Sequence, residues 1–226
     1  MTLPQVARPD AGLVLVGEWG TIDAGHQRSA ADAALGAWEA VRAPAGLLSH
    51  GCLLGEDDRT LLHYIQWADE DAARAFVSTD RPQWVAAVDA AVGGIEHRRV
   101  VPYRRYRSVV PDVPPGTAGC VVTVTFETES AGQATAWVDA LAGAGAAAPA
   151  GMLSAHFHVA ADGSRILNYA EWVDATAHQD SVDHRPERAR SSASAGQAVK
   201  VVDETPGVRF LGFARYRPYR SLSWSE

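Results

Sequence analysis

Cysteine is scarce in this chain. Its two cysteines, Cys52 and Cys120, each sit in an apolar, strand-like run with no partner at metal-ligand spacing. A disulfide framework and a cysteine-built metal site are not what holds such a chain together, and buried free thiols in a reducing compartment are the expectation. Excess basic charge is also missing: 20 Lys and Arg stand against 27 Asp and Glu, a formal charge of −7. That balance repels a phosphate backbone, so nucleic acid is not an expected partner. No apolar run approaches the roughly 18–20 residues that cross a bilayer. The opening MTLPQVARPDAG carries two prolines and no apolar stretch of signal-peptide length. The expectation is a cytoplasmic protein with no membrane partner.

What the sequence does contain is a repeat. Its 226 residues, 47% hydrophobic, suffice for one large core or two modest ones, since a domain is typically about 100–150 residues. AGLLSH at 45–50 matches AGMLSA at 150–155, and LHYIQW at 62–67 matches LNYAEW at 167–172, both at an offset of 105. DRP at 80–82 answers HRP at 184–186, and YRRYRS at 103–108 answers YRPYRS at 216–221 at an offset of 113. The chain reads as a tandem duplication with an insertion before the last strand of the second copy.

Each copy reads as β-α-β-β-α-β. In the first, GLVLVGEW (12–19) is aliphatic and β-branched like a buried strand. Ser29 offers a helix cap, and Leu35, Trp38 and Val41 recur at helical spacing over about 29–42. GLLSHGCLL and TLLHYIQW flank the polar GEDD as a hairpin. Asp69 and Pro82 open two further helices, and a strand runs from about Ile95 to Tyr106. The second copy repeats this with a strand at 119–127, a helix at 130–142, hairpin strands at 151–159 and 164–172, helices within about 174–197, and a closing VRFLGFARYRPYRS.

An antiparallel sheet with helices on one face leaves its other face bare, and the second copy can cover it. The predicted fold class is α+β: two ferredoxin-like repeats, 1–110 and 111–226, with their antiparallel sheets face to face as a pseudo-dimeric barrel. VVPDVPPGTAG (109–119) would be a proline-stiffened link.

The repeat unit, with a third strand ending in Asn-x-x-x-Trp and running into a helix, resembles the antibiotic biosynthesis monooxygenase family of the dimeric α+β barrel superfamily. NYAEW carries the resemblance best. In the small single-unit members two chains form the barrel, which implies a monomer acting as a pseudo-dimer, or a homodimer of it. The implied activity is oxygenation of an aromatic polyketide-type intermediate in antibiotic biosynthesis. Its partners would be the small aromatic substrate and molecular oxygen. The resemblance implies no metal and no tightly held cofactor, although some larger relatives use reduced flavin as a diffusible partner. The superfamily also holds polyketide cyclases, haem-degrading and haem-binding proteins and regulators, so cyclisation and ligand or haem binding stand as alternatives.

Such an oxygenase must stabilise an enolate or phenolate and the charge that develops on oxygen, which neutral donors in an apolar cavity do well. Asn168 supplies an amide and Trp172 an indole N–H, and residues four apart on a strand share a face. Asn168 and Trp172 are therefore the first catalytic candidates. His63 and Trp67 are their counterparts in copy one, where a histidine near neutrality can act as a general base or merely hydrogen-bond inside the sheet. His156 and His158 alternate on one strand and read as cavity-lining rather than metal-binding. In the Arg/Tyr-rich closing strand, Arg215 and Tyr216 are substrate-binding candidates.

Overall fold

A computed structural model describes residues 4–40, 43–112 and 116–224. The elements run β1 (Leu13–Gly20), α1 (Ala24–Ala40), β2 (Leu47–Gly55), β3 (Thr60–Trp67), α2 (Glu70–Thr79), α3 (Arg81–Ala91) and β4 (Glu96–Val109). The second copy follows with β5 (Cys120–Glu127), α4 (Ala131–Gly143), β6 (Met152–Ala160), β7 (Arg165–Trp172), α5 (Ala175–Asp183), α6 (Arg185–Ser191), α7 (Ala193–Glu204) and β8 (Arg209–Ser223). The strands neighbour one another in the closed order β1-β3-β2-β8-β5-β7-β6-β4. The α+β class and the two ferredoxin-like repeats are thus as the sequence predicts.

The chain divides into two compact units, Met1–Arg104 with Tyr216–Glu226, and Arg105–Arg215. The division falls inside β4 and β8, so these units are not the two repeats: the end of each long closing strand belongs to the other unit. Residues 113–115 of the expected proline-stiffened link, and Val41 of the first helix, lie outside the described residues.

The first helix begins earlier than the cap signal at Ser29 predicts. The Asp23 carboxylate accepts from the His26 N–H at 2.8 Å and starts α1, and the Ser29 hydroxyl donates instead to the Gly25 carbonyl one turn back. Both residue types cap helices, and the one that opens the apolar face prevails. The other start signals stand as expected, Asp69 accepting from Ala72 N–H and Pro82 lying in the first turn of α3, and Ser130 likewise caps α4 by accepting from Gln133 N–H. The insertion of copy two is resolved as a pair of helices, α6 and α7, where copy one has α3 alone.

The duplication extends to backbone detail. The Gly12 N–H reaches the Trp67 and Ala68 carbonyls, and the Gly119 N–H reaches those of Trp172 and Val173, at 3.0–3.1 Å. A Cβ on Gly12 would stand 2.4 Å from the Ala68 carbonyl oxygen, and one on Gly119 would stand 2.5 Å from that of Val173. The two strands can approach so closely only without a side chain. Gly119→Ala is expected to cost about 1–3 kcal/mol, read as a lowered Tm in thermal denaturation; an unchanged Tm would show that the strand end yields freely.

Candidate functional site

Register places the candidates. In copy one, His63 pairs with Gly17 and Cys52, Ile65 with Leu15 and His50, and Trp67 with Leu13 and Leu47. In copy two, Asn168 pairs with Val124 and Phe157, Ala170 with Val122 and Ala155, and Trp172 with Cys120 and Met152. Alternation on the strand puts Asn168, Ala170 and Trp172 on one face, the face that packs with Trp137, Val138 and Val201 of α4 and α7. His63 and Trp67 lie correspondingly with Trp38 of α1, Phe76 of α2 and Trp84 of α3.

The helix-covered face of copy one is filled. Its middle row is Leu15, Ile65 and His50. Above it, Trp38 stacks on Trp84 with centroids 5.2 Å apart, Trp19 lies 4.0 Å from the His63 ring, and Trp67 stacks on Phe76 at 5.1 Å. The Trp38 indole donates to His50 Nδ1 at 2.8 Å, and His50 Nε2 stands 2.9 Å from His63 Nδ1. An indole N–H only donates, so His50 must carry its proton on Nε2 and pass it towards His63, which then carries its own on Nε2. His63 is therefore a donor at its remaining nitrogen and not a general base. Burial holds it well below the usual histidine range, with the neighbouring His50 and His97 adding to the effect.

Cys52 Sγ lies 3.6 and 3.7 Å from His50 Nε2 and His63 Nδ1, so these three side chains have the spacing of a metal triad. The proton direction opposes that use. A metal-bound histidine normally donates its other N–H to an acceptor, whereas the other nitrogen of His50 faces an indole donor. The group is best described as a neutral, buried hydrogen-bond chain, with burial raising the Cys52 thiol far above its ordinary value.

Copy two replaces this filling with small residues. The middle row is Val122, Ala170 and Ala155, bordered by Asn168 on one side and Trp172 on the other. Asn168 Oδ1 and Trp172 Nε1 are buried and have no hydrogen-bond partner among the described residues, and the same holds for His63 Nε2 and Trp67 Nε1 in copy one, so it is the alanine floor that sets copy two apart. A buried acceptor and a buried donor left open over an alanine floor are groups a bound ligand can complete, because leaving each unpaired costs about 1–3 kcal/mol.

His178, at the position matched by Ala73 in copy one, meets the Trp172 ring edge-on with centroids 5.0 Å apart. Arg215 Nε–H donates to His178 Nδ1 at 2.9 Å, so the proton of the neutral imidazole sits on Nε2. Burial, and secondly the Arg215 charge, push His178 down to about 4. Arg215 therefore joins Trp172, through His178. This contact links residues 37 apart on different elements.

The remaining candidates lie elsewhere. Tyr216 is fully buried, paired with Gly55, and its hydroxyl donates to Glu18 at 2.8 Å. His156 and His158 pair with Tyr169 and Leu167, on the face opposite Asn168. His156 Nδ1 lies 2.8 Å from the Ser108 hydroxyl, and His158 Nδ1 lies 3.0 Å from the His156 carbonyl. Burial pushes His156 down to about 4 and His158 to about 3, with neighbouring charge assisting. On that same face the Ser154 hydroxyl donates to Glu171 at 2.8 Å, and burial raises the Glu171 carboxyl.

No family model and no curated protein matches the chain. Solved structures do. An anthrone oxidase-like protein superposes with a TM-score of 0.72 at 15% identity, covering 96% of this chain and 95% of that one. A monooxygenase candidate from Fusobacterium nucleatum gives 0.57 at 10% identity over 96% and 99%. A mutant chlorite dismutase from Candidatus Nitrospira defluvii gives 0.54 at 10% identity over 92% of each chain. Among the described residues no helix is long and apolar enough to cross a membrane. By fold, the chain is similar to these solved structures, with two ferredoxin-like repeats in one chain.

Proposed function

We propose that the protein is a monooxygenase of hydroxylated, fused-ring aromatic substrates of the polyketide type, working from the copy-two site with no resident cofactor. The observation that carries this reading is the Ala155/Ala170 floor, where copy one has His50 and Ile65, with Asn168 Oδ1 and Trp172 Nε1 open on either side of it. The likeness in fold to an anthrone oxidase-like protein supports the same class.

In this reading a substrate hydroxyl donates to Asn168 Oδ1, and Trp172 Nε1–H donates to a carbonyl or to the oxygen on which charge develops. About four residues of strand, roughly 13 Å, separate the two Cα atoms, a span suited to an elongated ring system. The fixed charge of Arg215 beside His178 favours the ionised, electron-rich form of the substrate, which itself reduces dioxygen. One oxygen atom enters the ring carbon as a carbonyl, and the other leaves as water with the two hydrogens of the oxidised methylene. His178, with Nδ1 engaged by Arg215, acts as a donor in this scheme and not as the base.

Incubation of a hydroxylated anthrone with labelled molecular oxygen tests the reaction class. One labelled atom in the quinone product is expected; an unlabelled product would mark proton-transfer chemistry such as cyclisation. Ala170→Ile, which writes the copy-one residue into the copy-two floor, is expected to raise KM at least about tenfold while the fold is retained by circular dichroism. An unchanged KM would show that the ligand does not lie on that floor.

A further inference from the structure

The Trp172–His178 contact continues outward to the surface. His178 meets the Phe213 ring with centroids 5.1 Å apart at 69°, and Arg215, which holds His178, also places its guanidinium carbon 5.1 Å from the Phe213 ring centre. Trp172 and His178 are only 5% and 6% exposed, whereas Phe213 is 43% exposed. Gly212, just before it, has a φ of 135°, outside the range side-chain-bearing residues adopt, so the strand turns irregular at the point where it presents this ring. An aromatic ring left in water beside a buried indole, with one small imidazole between them, has a reason if it receives a ligand.

We propose that Phe213 is the outer stacking subsite of the copy-two pocket and that it selects planar fused aromatics over flexible chains. The inference rests on the Asn168/Trp172 reading of the site and adds the shape of what enters it. The contacts of 5.0 and 5.1 Å put Phe213 and Trp172 at most about 10 Å apart through His178. A rigid fused-ring plane held against Trp172 is long enough to reach Phe213 as well, past His178, which keeps its bond to Arg215. A flexible chain gains less from Phe213, because stacking on it requires ordering several rotatable bonds. Copy one has no such path: the repeat offset sets Ala73 opposite His178, Val100 opposite Phe213 and Pro102 opposite Arg215.

The test compares two probes by titration calorimetry, the planar tricycle 1,8-dihydroxyanthraquinone and an acyclic 3,5-dioxo acid, on the whole protein and on Phe213→Ala, Phe213→Leu and Asn168→Ala. Phe213→Ala and Phe213→Leu are each expected to weaken the tricycle about tenfold and to change the acyclic probe less than about twofold, with Tm unaltered because the ring is exposed. Equal losses for both probes, or no loss for the tricycle, would overturn the selection by Phe213. Asn168→Ala should weaken the tricycle whichever way Phe213 behaves. Were it to have no effect, the site reading itself would fail, an outcome separate from failure of the Phe213 subsite.

Discussion

Lowering the pH from 7 to 5 is expected to bring the protein to the edge of unfolding. His50, His63 and His158 are held neutral by burial, His50 and His158 at about 3 and His63 well below its ordinary value. In the unfolded chain each titrates near 6.5, so as pH falls the unfolded state takes up protons that the folded state refuses. Their contribution is fully present above about 6.5 and is lost progressively as pH drops towards the folded values. At pH 5 His50 and His158 have each forfeited about 2 kcal/mol. Together they approach about 4 kcal/mol, with His63 acting in the same direction, against a total stability of about 5–15 kcal/mol for an ordinary domain.

His156 and His178, both pushed down to about 4, add in the same direction. At about 2–4 °C per kcal/mol for a chain of this size, Tm should drop by on the order of 10–20 °C between pH 7 and pH 5. Calorimetry across that range checks it, and a Tm constant to within a few degrees would show that the histidines charge without unfolding.

The second large effect separates the two copies. With a hydroxylated anthrone as substrate, Trp172→Phe, which keeps the ring and deletes the N–H that faces the developing charge, is expected to lower kcat/KM for oxygen uptake about 100-fold or more, the usual scale for removing a donor to a developing anion. Asn168→Ala, which removes the acceptor of the substrate hydroxyl, should cost about tenfold. His63→Ala should behave in the opposite way. It leaves the His50 Nε2–H without its acceptor and opens a cavity beside Trp19, so stability falls by about 2–4 kcal/mol. Its kcat/KM at a temperature where the protein stays folded should remain within about threefold. Comparable activity losses in Asn168→Ala and His63→Ala would place the chemistry in both copies.

The architecture was legible because duplication writes the same instructions twice. Leu-x-Tyr-x-x-Trp, the paired Ala-Gly turns before β2 and β6, and the alternating strands each predict an element, and each element is present. The exchange of His63 for Asn168 also marked the point where the copies diverge. The consequence of that exchange was not legible, because it depends on register. Only when Ile65 is set between Leu15 and His50, and Ala170 between Val122 and Ala155, does one floor carry large side chains and the other small ones.

Long-range contacts were hidden for the same reason. Arg215 and Tyr216 are adjacent in sequence but point to opposite sides of β8, so one reaches His178 and the other Glu18. The direction of the proton in the His50–His63 pair was equally beyond sequence, since a tryptophan twelve residues upstream of His50 sets it.

The central claim is that copy two, not copy one, holds the substrate. A crystal structure of the protein with bound 1,8-dihydroxyanthraquinone tests it most directly. The expected result is a ring system lying over Ala155 and Ala170, hydrogen-bonded to Asn168 and Trp172, with the His50–Cys52–His63 region unchanged. A ligand seated against His63 and Trp67, or on the opposite face of β7 beside His156 and Glu171, would contradict the account.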